Sequence, residues 1–274
     1  MTAFFALPLW LLATIILGLS IVVGLGGVKL VRDRGWMMEA DDTGAAGLVH
    51  AFIGVLYAVA LGLMVVAVQG DYAEVDSVAM REANIAGDLY IDLEGLPDPA
   101  RSELQGLVKR YVSAVADDEW PAVARGATSD ATWALVDSIA RGIITYEPPT
   151  PHAELVYPEI LTEVNQLMDH RRERLFLGTG GVGAVTWTVV LIGAFITLSV
   201  AWFFHTPSAR AHYWLSAAMS AIFGLMIFLI VAMDHPLLGD FSVQPDAFRG
   251  VKENMDRWDR DRDGAMRWSN LQGR

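Results

Sequence analysis

Residues 43–70 read TGAAGLVHAFIGVLYAVALGLMVVAVQG, without one Asp, Glu, Lys or Arg. The run exceeds the roughly 20 apolar residues that a helix needs to cross a bilayer. Three more charge-free runs lie on either side, at 1–28, 175–209 and 211–233. Lipid offers no partner to unpaired backbone groups, so spanning segments are helices or closed barrels. A barrel needs segments of about ten residues with alternating polarity, and these runs do not alternate. The sequence therefore reads as an all-α integral membrane protein with four spans, two before and two after a long insert. A soluble globular chain is excluded. The organisation follows: 1–44 is the first span and a short loop, 45–70 the second span, 71–174 a helical soluble insert, 175–233 the third and fourth spans, and 234–274 a tail. The first run has no basic segment ahead of its apolar stretch and outlasts a signal-peptide core, so it reads as a span.

Mean hydropathy is +0.36, yet the net charge is -12. The two are compatible because charge is segregated from the apolar runs. The insert holds 20 acidic and 9 basic residues, nearly all of the imbalance. An acidic surface binds nucleic acid poorly, since phosphate affinity comes from Lys and Arg. It concentrates cations or simply stays solvated. There is no cysteine, which removes disulfides, thiolate metal sites and cysteine nucleophiles.

The insert reads as helices. Residues 72–94 lack proline and carry Val75, Val78, Ile85, Leu89 and Leu93 at three- and four-residue spacings, continuing the second span. Asp98-Pro99, Ser129-Asp130 and Thr150-Pro151 are helix-start signals. The last of these helices runs through Arg171, Arg172 and Arg174 towards span three. Those arginines, with Arg249 and Lys252 in the tail, favour a cytoplasmic insert. Lys29, Arg32 and Arg34 in the first loop favour the reverse.

Gly178-Thr179-Gly180-Gly181-Val182-Gly183 matches G-x-G-x-x-G but follows a charged helix, with Trp202 and Phe203 where an acid belongs. It reads as close packing or a hinge before span three. In span two, Gly54, Ala58 and Gly62 form a small-residue stripe, and Ala217, Ala221, Ser220 and Gly224 do the same in span four. The other faces of span two carry Ile53, Tyr57, Leu61 and Met64. Two readings stand: packing within one bundle, or several copies lining a pore with an apolar constriction. Ionisable residues in the spans are few: His50, His205, His212 and Asp234-His235. No carboxylate or lysine sits mid-span, which argues against a proton pump.

In the tail, Asp259-Arg260-Asp261-Arg262-Asp263-Gly264 is the first half of an EF-hand loop. Asp259, Asp261 and Asp263 hold positions one, three and five, with Asn270 where a bidentate Glu belongs. Val251, Met255 and Trp258 supply the apolar side of an entering helix. Calcium is the one cofactor this suggests, against a plain mixed-charge tail. No H-E-x-x-H, G-x-S-x-G or P-loop is present, and the chain does not read as an enzyme.

The chain resembles the bacterial bestrophin-like domain family. The resemblance rests on Glu82-Ala83-Asn84, on Tyr111 with Glu119-Trp120-Pro121, and on Asp234-His235-Pro236 to Gly239 with Val243 and Pro245. With the two-plus-two layout these cover most of 45–250. The resemblance implies likeness to bestrophins, pentameric calcium-gated anion channels whose second span lines the pore. It implies an inner-membrane homo-oligomer handling inorganic ions, with insert and termini cytoplasmic. The phenylalanine-rich neck of that comparison is not matched: span two has only Phe52 and Tyr57 as aromatics. The acidic insert suits cations better than anions. A cation channel of the same build, and a non-conducting sensor or scaffold whose insert or tail binds calcium or a partner, stand as alternatives.

Overall fold

One helix organises the protein. Thr43–Asp92, here α2, is continuous for 50 residues, about 75 Å at 1.5 Å per residue. That is more than twice the roughly 30 Å of hydrocarbon in a bilayer, so α2 carries its register from the membrane into the insert. It has no proline to interrupt it. Its buried positions include a row of Tyr57, Leu61, Met64, Val68, Val75, Ala79, Glu82, Ala86 and Leu89, with Tyr72 partly buried between them. The mean spacing is that of one helical face.

The computed structural model describes residues 7–127 and 129–272, with side chains as far as Arg262. Before α2 comes α1, Leu9–Arg34. After it come α3 (Ala100–Ala114), a π-helical turn (Val115–Glu119), α4 (Trp120–Ala124) and α5 (Asp130–Ile144). They are followed by α6 (Pro151–Thr179), α7 (Ala184–Trp202), α8 (Ala209–Met233) and α9 (Asp246–Gln272). No strand occurs among the described residues. Four candidate spans are long and apolar enough to cross a membrane, and they fall in α1, α2, α7 and α8.

The start signals hold in two of three places. Ser129 and Thr150 each accept a bond from the backbone N–H three residues on, the usual cap geometry. Asp98 does not cap. Pro99 takes the cap position of α3 without a side-chain bond, and Asp98 pairs with Arg101 instead.

Two cores result. In the membrane, α2 packs on α7 and α8 through Tyr57, Leu61, Met64, Val68, Val190, Ala194 and Ile230. Tyr57 Oη donates to the Val190 carbonyl at 2.5 Å, and a Cβ at Gly193 would overlap the Tyr57 ring. Helix α1 lies along α8, where Gly24 meets Ser220 and Gly224 meets Ser20. The Ser220–Gly224 pair of span four is thus a close-approach surface, as small residues permit. In the insert, the lower half of α2 packs on α6 and α3, and α9 closes over it with Phe248, Val251 and Met255.

Candidate functional site

The polar centre of the insert arises from charges placed in apolar register. On α6, Ile160, Val164 and Leu167 form the buried face, and Arg171, Arg174 and Gly178 continue it. On α2, Glu82 stands in the buried row between Ala79 and Ala86. The π-helical turn carries Glu119 inward. The four side chains meet with essentially no exposure. Arg171 grips both Glu119 oxygens, with Nη1 to Oε1 at 3.0 Å. Arg174 Nε donates to Glu82 Oε2 at 2.6 Å. Its Nη2 is shared between Glu82 Oε1 at 3.1 Å and Glu119 Oε1 at 2.8 Å. Tyr111 Oη donates to Glu82.

Two carboxylates and two guanidiniums cancel in charge, which is what makes burial tolerable. Aromatic rings wall the cluster. Arg171 lies over Trp133 at 4.6 Å and Arg174 over Trp120 at 4.7 Å, an arrangement favourable to a desolvated cation. Burial alone would raise the Glu119 carboxyl, but Arg174 and Arg171 outweigh it and hold it below its ordinary value. Burial, then Glu82, pushes the Tyr111 hydroxyl well up, so it stays a donor.

The quoted motifs converge here. Glu82, Tyr111 and Glu119 are in the cluster. Trp120 Nε1 donates to the Val243 carbonyl at 2.7 Å, tying the insert motif to the segment after α8. Asn84 does not join; it lies on the exposed side of α2. Asp234 serves a neighbouring junction. Its Oδ1 accepts from Val182 N at 2.6 Å and its Oδ2 from Trp187 Nε1 at 3.3 Å. Pro236 is buried beside it, its carbonyl accepting from Val243 N at 2.8 Å. Arg171, Arg174, Trp133 and Phe248 were not among the expected site residues. The signal for the arginines was their place in the apolar register of α6.

Of the two readings of span two, the packing one describes Tyr57, Leu61 and Met64 within this chain: they are buried against α7 and α8, where the Tyr57 hydroxyl finds the Val190 carbonyl. Ile53 and Gly54 are partly covered. The small-residue stripe stands on the other side: a Cβ at Gly54 or Gly62 would meet nothing within 4 Å, and Ala58 is exposed. The uncovered face carries Phe52, Val55, Leu56, Val59, Leu63 and Val66.

The tail also departs from expectation. The backbone is one helix through Asp259–Gly264, so Asp259 and Asp261 do not curl round a common point as an EF-hand loop would. Asp259 is already engaged: Oδ2 pairs with Lys109 at 2.7 Å and Oδ1 accepts from Tyr90 at 2.5 Å and from Arg262. Burial would raise its carboxyl, but Lys109, Tyr90 and Arg262 keep it below its ordinary value. Asp263 and Asn270 lie outside the described side chains. Among the described residues no group of three or more His, Asp or Glu is placed to hold a metal.

A second acidic group lies where α6 meets the end of α2. Glu163 is 6% exposed, and its Oε2 is buried without a hydrogen-bond partner. Burial, then the neighbouring Asp92, Asp88 and Glu159, push its carboxyl from 4.5 to about 8. The folded protein therefore holds a proton there that the unfolded chain releases. Stability from this proton is full below about pH 4.5 and is lost as pH rises through about 8. Glu163→Gln is expected to flatten that decline in a thermal-unfolding series from pH 5 to 9. An unchanged profile would show that Glu163 does not carry it.

The comparisons agree with this geometry. The family model for the Bestrophin-like domain matches residues 9–248. Two crystal structures of a bacterial bestrophin homolog from Klebsiella pneumoniae, each carrying a point mutation, superpose with TM-scores of 0.65 and 0.66 at 11% identity. They cover 89% of this chain, and 97% and 98% of theirs. A crystal structure of a membrane protein, also mutated, gives 0.64 at 11% identity, covering 89% of this chain and 97% of that one. No curated protein matches. The converging Glu82, Tyr111, Glu119 and Trp120, the four spans and the matched 9–248 lead to one conclusion: the chain belongs to the bestrophin-like domain family.

Proposed function

We propose that this membrane protein is an oligomeric ion channel whose pore is lined by α2 from several copies. The observation that carries the reading is the one-sided packing of α2. Its inner face is used along the whole helix within the chain, while Phe52, Val55, Leu56, Val59, Leu63 and Val66 stand uncovered. Around an axis, such residues form an apolar constriction that gates by dewetting. Because α2 is unbroken, a movement of the insert reaches the constriction without an intervening hinge. Membership in the family supports a ring, with five copies as the working number. It also supports an inner-membrane location with insert and termini cytoplasmic.

Two features pull the ion sign in opposite directions. Family kinship favours anions. The 20 acidic against 9 basic residues of the insert favour cations in a vestibule, because like-signed walls raise the counter-ion concentration. Calcium regulation by the tail would require Asp259 to leave Lys109 and Arg262 and α9 to open around Asp261.

One experiment addresses all three. Purified protein in planar bilayers under asymmetric potassium chloride is expected to carry current. A reversal potential near the chloride equilibrium supports anion conduction, and one near the potassium equilibrium supports the acidic vestibule. A calcium response abolished by Asp261→Ala supports the tail site; no response overturns it. Absence of current at every pH and calcium level sinks the channel reading and leaves the non-conducting sensor.

A further inference from the structure

The membrane end away from the insert holds a second polar constellation, separate from the ionic cluster. Arg32 in the last turn of α1, His50 in α2 and His212 in the first turn of α8 gather beside the connection between α7 and α8. A cavity of about 150 Å³ lies there, lined by His50, Phe204, Thr206, His212, Ser216 and Met219 among others. Arg32 Nη1 donates to the Thr206 carbonyl at 3.3 Å and stands 3.4 Å from His212 Nδ1. A guanidinium only donates, so His212 Nδ1 accepts. Its Nε2–H then donates to the Ala201 carbonyl at 3.2 Å. His212 is 4% exposed and fixed at both nitrogens. His50 is not. Its ring meets Phe204 edge-on, with centroids 5.2 Å apart, and its Nδ1 is buried without a hydrogen-bond partner.

The charge at this site is unmatched. Among the described residues no carboxylate lies within ion-pair distance of Arg32. Asp33 is paired with Lys29 at 2.5 Å, and Glu39, Asp41 and Asp42 on the following connection do not reach Arg32. The carbonyls at the end of α1 offset part of the guanidinium charge. An unpartnered imidazole nitrogen of a lining residue, His50, remains, and at the cavity's rim a half-buried cation, Arg32, held by two lining residues, Thr206 and His212. An oxyanion answers both, one oxygen accepting from Arg32 and another from an N–H of His50. A bulk-like water takes about 30 Å³, so the cavity has room for a tetrahedral phosphate group. Its apolar walls, Phe204 and Met219, suit an ester substituent, and its place near the ends of the spans is the depth of lipid headgroups.

We propose that Arg32 and His50, with His212 holding Arg32 in place, form a binding site for a phosphate group, carried by an anionic phospholipid or by free inorganic phosphate. The site is independent of ion conduction. The test is thermal unfolding of the full chain in detergent micelles. Separate arms add millimolar inorganic phosphate, phosphatidylglycerol, and diacylglycerol as the phosphate-free control, all at constant ionic strength. Wild type is expected to gain about 3 °C or more with phosphatidylglycerol, with phosphate, or with both, as ligand linkage requires. Diacylglycerol is expected to do nothing. A response to phosphatidylglycerol alone assigns the site to lipid, and a response to phosphate alone assigns it to the free ion. Arg32→Gln should abolish the gain. His50→Asn, which removes no existing hydrogen bond, should reduce it at least threefold while leaving the elution volume unchanged. No gain in wild type, an equal gain with diacylglycerol, or an undiminished gain in His50→Asn would overturn the proposal.

Discussion

Arg174→Met is expected to cost about 3–5 kcal/mol, the usual penalty for removing one partner of a buried ion pair. Detergent-solubilised protein should unfold about 10 °C or more below wild type. Packing is not the reason, because methionine fills much of the arginine volume beside Trp120 and Phe248. The loss is electrostatic. Without Arg174, Glu82 keeps only the Tyr111 hydroxyl, and Arg171 alone faces two carboxylates. One of these would then have to take up a proton to stay buried, so its folded value rises above its unfolded one. The penalty must therefore shrink as pH falls from 7 towards 5. Adding Glu82→Gln to Arg174→Met should restore part of the loss, since the surviving Glu119 again matches Arg171 in charge. A loss below about 1 kcal/mol, or additivity in the double variant, would show that the cluster is not coupled.

The spans and the continuation of span two into the insert are legible because they depend on local properties. Absence of charge and helical periodicity need no partner to be recognised. The caps at Ser129 and Thr150 are equally local. What escaped is set by contact. Whether Tyr57, Leu61 and Met64 face an axis or a neighbouring helix depends on Gly193 and Val190, more than 120 residues away. The arginines of α6 carried a signal, because 160, 164, 167, 171 and 174 keep one register. Read as topology markers, they concealed that a charged residue in an apolar row needs a buried counter-charge. Glu82 and Glu119 were legible only as members of a motif. In the tail, D-x-D-x-D-G is a composition pattern that does not by itself fix a loop backbone. Tyr90, Lys109 and Arg262 offer Asp259 partners that a helix can reach without closing a loop.

The second large effect is expected at the glycines rejected as a dinucleotide fingerprint. Gly178 ends the buried row of α6, and a Cβ there would overlap the Leu237 side chain. Its carbonyl accepts from Leu237 N at 3.0 Å, so helix and post-α8 segment touch at backbone distance. A few residues on, Asp234 accepts from Val182 and Trp187, and a Cβ at Gly181 would crowd His235. The junction thus joins the end of the insert, the start of α7 and the end of α8 in a single contact. Gly178→Leu must push Leu237 away and stretch that backbone bond. Overpacking of this kind costs about 1–3 kcal/mol or more, and the lost hydrogen bond adds about 1 kcal/mol. An unfolding temperature roughly 5–10 °C lower is expected. Leu237→Ala alone should also destabilise, by opening a cavity. Because each change relieves the other, the double variant Gly178→Leu, Leu237→Ala should unfold well above the temperature that the two single losses predict together. Strict additivity would mean that the overlap is absorbed elsewhere and that the glycine is not required for the close approach. In a conducting channel the same pair offers a mechanical readout, since this contact lies where α6 passes into the third span through the short connection at 180–183. Gly178→Leu should then alter open probability while leaving the reversal potential unchanged.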